Sequence, residues 1–280
     1  MSIPPLFAHL FDDAALFPPG NAAMPAAVGG HAGYRQQWYA GLVSRFVCPA
    51  ARLAELGQAL DDFGWDSSAP PDIAMTVPGG PAALAGALAI AEQLPGLRLG
   101  VVELPVGAAE LPGVLDELDD ISEETVAVCV EVPLVEVTEE VAAALHGAGL
   151  GLKLRTGGTT AAAFPSAAVL GAAIEAAVAG GVRFKCTAGL HNAVRHDDPA
   201  TGFAHHGFLN VLLAIHSALA GGRPPAELLA ETDGAALAEQ ARVLAPDEVA
   251  QLRQRFACIG SCSISEPLTD LIELKLVTPA

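Results

Sequence analysis

Lysine is the charged residue this sequence uses least: 3 lysines stand beside 11 arginines in 280 residues, and these 14 cations face 32 aspartates and glutamates. A formal charge of −18 leaves no basic surface on which to seat a nucleic-acid backbone or an anionic membrane, so neither is expected as a partner. It does not exclude a small anion, which a few local cations can hold. Aromatics are only 5%, so a core must come mainly from Ala, Val and Leu. Cysteines number 5, an odd count, widely spaced and without a CxxC pair. That argues against a disulfide framework and a zinc knuckle and suits a reducing cytosol, so a cytoplasmic location is expected. "MSIPPLFAHLFDDAALFPPG" has no basic region before its apolar residues and does not read as a signal peptide. The longest alanine-rich run, "AAVLGAAIEAAVAGG", is short and interrupted by Glu175, so no membrane span is expected.

What is present is alternation of apolar runs with helix-like segments. The runs cover 6–17, 44–49, 72–78, 97–105, 125–133, 149–155, 182–187 and 255–263. They are near-continuously apolar, as parallel strands covered on both faces should be. Eight such units with right-handed crossovers predict a (β/α)8 barrel, a TIM barrel, formed by residues 1–280 as one domain. Residues 223–254 add extra helices before the eighth strand.

In such a barrel chemistry gathers at the C-terminal ends of the strands. Those ends carry Asp12 and Asp13, Cys48, Thr76, Glu103, Glu131, Lys153 with Arg155, Lys185 with Thr187, and Ser261 with Ser263. Two of the three lysines thus end consecutive runs, in "GLGLKLRTGG" and "VRFKCTAGL". Unlike arginine, lysine can shed its proton and attack a carbonyl. Bringing its pKa from ~10.4 to ~7 costs about 4.6 kcal/mol. A second cation ~5 Å away at an effective dielectric of ~20 supplies about 3.3 kcal/mol of that. One of Lys153 and Lys185 is therefore expected to make the other a usable amine.

These motifs resemble the class I, Schiff-base aldolases of the deoxyribose-phosphate aldolase type. "KLRTG" (153–157), "FKCTAG" (184–189), "IGSCS" (259–263), "FVCP" (46–49) and Glu131 occur in that family's order, with Ala188 in place of the first glycine of a pair. The resemblance implies a cofactor-independent lyase in which Lys153 is the nucleophile and Lys185 the cation beside it. Glu103, Glu131 and Asp13 (or Asp12) would be the catalytic carboxylates. It also implies an anion site on the backbone of Ala188, Gly189, Gly260 and Ser261, where Arg155 is expected to help hold a phosphate, sulfate or carboxylate. Two departures stand out. The register of the family's proton-relay aspartate on strand 4 holds Gly100, with Glu103 later, and Arg155 occupies a place where the family has a small residue. The expected partner is a small carbonyl compound, phosphorylated or not, and a homo-oligomer is compatible with the sequence.

The loop "LHNAVRHDDPATGFAHHGF" carries four histidines and two aspartates in no defined metal-binding spacing, and no metal is expected. His191 and Arg195 are expected to lean over the barrel mouth and touch substrate. Tyr34, Trp38 and Tyr39 read as packing groups, a lid or a subunit contact. Cys186 draws notice as a thiol beside Lys185. The alternatives are a metal-dependent lyase or hydrolase on Asp12, Asp13, Glu103, Glu131 and the histidine loop, or a barrel that binds a metabolite without catalysis.

Overall fold

The apolar runs form strands because each must bury both faces, one against the barrel interior and one against a surrounding helix. The computed structural model describes residues 3–94, 96–124 and 126–279. Eight parallel strands are β1 (Phe11–Asp13), β2 (Val43–Pro49), β3 (Asp72–Thr76), β4 (Arg98–Pro105), β5 (Ala127–Glu131), β6 (Gly151–Arg155), β7 (Phe184–Thr187) and β10 (Phe256–Ser261). They close in the order β1-β10-β7-β6-β5-β4-β3-β2, the (β/α)8 barrel expected from the sequence. A short antiparallel hairpin, β8 (His196–Asp197) with β9 (Ala204–His205), stands apart in the histidine loop. The first run, expected over 6–17, supplies only three strand residues, and Thr125 of the fifth lies outside the described residues.

The helices that cover the barrel are α1 (Met24–Tyr34), α2 (Leu53–Phe63), α3 (Pro81–Glu92), α4 (Leu115–Glu124), α5 (Glu139–Gly147), α6 (Ala167–Ala179), α7 (Phe208–Ala220) and α11 (Ser265–Glu273). Between α7 and β10 come α8 (Pro225–Ala230), α9 (Gly234–Arg242) and α10 (Pro246–Arg255), the extra helices read from 223–254; all three pack on α7. The stretch Ala161–Ala179 is apolar and long enough to cross a membrane by length and composition alone. Its helical part, α6, packs against α5, α7 and α8 and buries Leu170, Ala173, Ile174 and Ala177. Burying a leucine or isoleucine side chain stabilises by roughly 1.5–3 kcal/mol, which accounts for the apolar face.

Inside the barrel the packed residues are small. Ala14, Val47, Ala74, Val101 and Cys129 form a separate inner cluster, while the large side chains lie between strands and helices. Small inward residues leave volume at the mouth. One irregularity decides what enters that volume. The pairing of β3 with β4 runs Ile73↔Leu99 and then Ala74↔Val101, skipping Gly100. A side chain at Gly100 would place its Cβ 2.8 Å from Arg45 Nε, so this bulge position suits glycine. A one-residue bulge reverses the facing of everything after it. Val101 and Glu103 therefore turn into the barrel, and the inward carboxylate of β4 is Glu103, not a residue in the register of Gly100.

The histidine loop is tied down by Asn210 of α7. Its amide nitrogen donates to Leu228 O (2.7 Å) and Glu231 O (2.8 Å), and its oxygen accepts from Arg195 N (2.8 Å). Gly207, the N-cap of α7, fits so closely that a Cβ would lie 2.2 Å from Ala193 O and 2.4 Å from Asn210 Oδ1. Gly207→Ala is expected to destabilise the protein by about 3 kcal/mol. Urea unfolding measures this, and a variant as stable as the wild type would contradict the packing described.

Candidate active site

The charged and polar side chains near the strand ends come from five strands, and all of them but Asp12 line one cavity of about 450 Å³. β6 contributes Lys153 and Arg155, β7 Lys185 and Thr187, β4 Glu103, β5 Glu131, and β1 Asp12 just below Ala14. Lys153 and Lys185 are direct partners in the β6–β7 register, and both line the cavity.

Six side chains then form a line of alternating charge. Lys185 Nζ lies 2.5 Å from Asp12 Oδ2 and 2.5 Å from Glu103 Oε1. The other oxygen of Glu103 lies 2.8 Å from Lys153 Nζ, and Lys153 lies 2.9 Å from Glu131 Oε2. Glu131 Oε1 in turn accepts from Arg155 Nε at 2.6 Å. The order is Asp12, Lys185, Glu103, Lys153, Glu131, Arg155, and it runs outward: side-chain exposure is 0% at Asp12, 18% at Glu131 and 49% at Arg155. Asp12 is further satisfied by Arg45 N (3.1 Å) and the Cys258 thiol (3.0 Å).

The charges set one another's protonation. Burial opposes ionisation of Glu103, but the two ammonium groups outweigh it and hold the carboxyl down to about 2. Burial likewise works against the ionised forms of Asp12 and Glu131, which Lys185 and Lys153 respectively keep below the usual carboxylate range. The lysines behave differently from the sequence expectation. Burial and the charge of Lys185 both push Lys153 down, yet Glu103 and Glu131 outweigh them and its pKa is raised. Burial also lowers Lys185, but Asp12 and Glu103 carry it well above the ordinary value. Two lysines with three carboxylates around them are both ammonium ions at neutral pH. The repulsion expected between them exists, and the carboxylates overcome it.

Asp13 and Asp12 are neighbours on a strand and face opposite ways. Asp13, expected in the site, points out of the barrel, where its Oδ2 meets His31 Nδ1 at 3.0 Å. Asp12 takes the inward place. Of the expected anion-binding backbone, Ala188 and Gly260 line the cavity, as does His191. Gly189 lies behind them against Gly157 and Phe164, and its φ of +74° follows a φ of +68° at Ala188, a tight turn. Ser261 is buried with its hydroxyl donated to Ser263 O (2.7 Å). Arg195 does not reach the mouth; its guanidinium sits 3.3 Å from His206 Nδ1. Among the described residues no group of three or more His, Cys, Asp and Glu is arranged to hold a metal ion. Trp38 and Tyr39 pack edge-to-face, with ring centroids 5.6 Å apart.

Cys186 is fully buried, and burial drives its thiol far up despite Lys185 beside it. The cysteine that meets the cavity is Cys262, 3.7 Å from both ring nitrogens of His191, whose Nδ1 lies 3.0 Å from Glu266 Oε2. Cys258, which the sequence alone reads as a small core residue, is buried on β10 and donates its thiol to Asp12. Its even spacing from Gly260 puts both on the inward face, and that spacing was the available signal.

No family model matches the chain, and no curated protein matches it. Among solved structures it is similar to the apo form of a "putative deoxyribose-phosphate aldolase" from Toxoplasma gondii ME49. The identity is 12%, over 98% of this chain and 96% of that one, with a TM-score of 0.46. The functional reading therefore rests on the residues of this chain.

Proposed function

We propose that the protein is a lyase of the class I, Schiff-base type, like the deoxyribose-phosphate aldolases, working without a cofactor on a small carbonyl compound. One observation carries the reading: Glu103 bridges two buried lysines that open together on a single cavity. A buried cluster of this kind is a costly way to hold a barrel together, and replacing such pairs with apolar groups is often neutral or stabilising.

Lys153 is the nucleophile in this reading. Its contacts to carboxylates are 2.8 and 2.9 Å, against 2.5 Å twice for Lys185, and its neighbour Glu131 is the carboxylate nearest solvent. As a carbonyl enters, Lys153 passes a proton to Glu131, and the freed nitrogen pair forms a C–N bond to the carbonyl carbon. The carbonyl pair moves onto oxygen, and the two protons that nitrogen sheds leave with that oxygen as water. The product is a protonated imine, so the positive charge beside Glu103 persists. The iminium then draws in the electrons of a neighbouring C–C bond as a β-hydroxyl loses its proton. An aldehyde leaves, the enamine takes a proton, and water releases the lysine.

The test is borohydride reduction of the protein with a panel of aldehydes and ketones, followed by peptide mass mapping. An adduct on the Lys153 peptide is the expected result. An adduct on the Lys185 peptide exchanges the roles, and none with any carbonyl leaves a barrel that binds without this chemistry.

A further inference from the structure

Five of the six charges in the line are spent on one another. Arg155, at its outer end, is only partly so. Glu131 takes Nε (2.6 Å) and one N–H of Nη2 (3.4 Å), and among the described residues it is the only hydrogen-bond partner of the guanidinium. Three of the five guanidinium N–H groups remain. The side chain lines both the central cavity and the adjoining groove that opens between the loops after β3, β4, β5 and β6. It leans toward Glu131 on β5, whereas the turns at Ala188 and Gly260 follow the strands on its other side.

Its distance from the nucleophile is bounded. Lys153 Nζ lies 2.9 Å from Glu131 Oε2, and Arg155 Nη2 lies 3.4 Å from the same oxygen, so the nitrogens are no further apart than the two distances together. A carboxylate bonded directly to a reacting carbonyl carbon has its own carbon about 2.5 Å from the attacking nitrogen, and its oxygens then reach a guanidinium through hydrogen bonds of ~2.8 Å. That span matches. A phosphate at the far end of a sugar chain would lie several bonds beyond Arg155.

We propose that Arg155 anchors a carboxylate on the substrate, so that the carbonyl compound this site accepts is a short 2-oxo acid. This rests on the Schiff-base reading of Lys153 and adds to it. The anchor also acts on the nucleophile. A carboxylate on Arg155 offsets the charge that the guanidinium directs at Glu131, which makes Glu131 a better acceptor for the proton of Lys153. A neutral carbonyl compound gains neither effect.

The experiment is cyanoborohydride trapping of pyruvate, acetone and glyceraldehyde 3-phosphate by the wild type, Arg155→Gln and Arg155→Lys, read by intact mass. Near-ultraviolet circular dichroism checks folding. The wild type is expected to half-saturate with pyruvate at a concentration at least tenfold below that for acetone. Arg155→Gln should lose that advantage, its half-saturating concentrations for pyruvate and acetone drawing together within about twofold whatever its trapping rate, and Arg155→Lys should keep part of it, since lysine preserves the charge but not the planar fork. Equal behaviour of pyruvate and acetone in the wild type, or an advantage that survives Arg155→Gln, overturns the anchor. So does preferential trapping of the phosphorylated probe. If no carbonyl is trapped at all, the Schiff-base reading fails. Calorimetric titration with pyruvate then decides the anchor separately: binding lost in Arg155→Gln supports it, and no binding to the wild type ends it.

Discussion

Lys153→Arg is expected to lose all borohydride-stable adduct and to reduce turnover of any substrate by at least about a thousandfold, because a guanidinium with a pKa above ~12 has no free pair to offer a carbonyl. The change keeps a cation between Glu103 and Glu131, so the loss is chemical before it is structural. Lys185→Arg is the contrasting variant. The sequence alone suggests that it would lower activity with folding retained. The fold adds a cost, since Lys185 is enclosed and held by two contacts of 2.5 Å, and a longer, planar group overpacks that space by about 1–3 kcal/mol. Trapping on the Lys153 peptide should persist in Lys185→Arg at a reduced rate. A substrate turned over normally by Lys153→Arg would remove Lys153 from the chemistry.

The barrel was legible because its signal is repeated eight times: apolar runs of strand length separated by helix-length segments leave few other closed arrangements. The positions of Lys153 and Lys185 were legible for the same reason, each ending a run. What stayed hidden depends on facing. Asp12 and Asp13 are adjacent, and nothing in "LFDDAAL" says which one turns inward when only three residues are strand. On β4 simple alternation misleads, because the skipped residue at Gly100 reverses every side chain beyond it. The protonation of the lysines was hidden for a deeper reason. Pairing two cations in sequence gives their repulsion; the answer is set by three carboxylates that arrive from other strands, and those distances exist only once the barrel has closed.

Glu103→Gln should produce the largest loss of stability from a change that leaves volume nearly constant. The carboxylate touches both ammonium groups, and removing its charge leaves them with only Asp12 and Glu131. Breaking a buried pair by deleting one partner costs about 3–5 kcal/mol, which in a chain of this size lowers Tm by roughly 5–9 °C. The dependence on pH follows from the direction of its titration. The two ammonium groups hold Glu103 down to about 2 in the folded protein, below its ordinary 4.5, so its stabilisation is fully present above pH 4.5 and is lost as pH falls toward 2. Integrated over that window it amounts to ~3 kcal/mol, in line with the cost of the substitution. The stability gap between wild type and variant should therefore be constant near neutrality, shrink below pH 4.5 and vanish near pH 2. Lys185, raised above 10.5, marks the opposite limb: its contribution is complete below pH 10.5 and is lost in stronger alkali. It describes the same contacts from the other partner and is not added to the first. A second measurement separates electrostatics from packing. Glu103 is the foremost carboxylate raising Lys153, with Glu131 next and Lys185 opposing. In Glu103→Gln the balance at Lys153 moves toward burial and the repulsion of Lys185, so the pH at which carbonyl trapping reaches half its maximum should fall by at least about one unit. An unchanged trapping profile together with an unchanged acid-unfolding curve would mean that Glu103 does not bridge the lysines in solution.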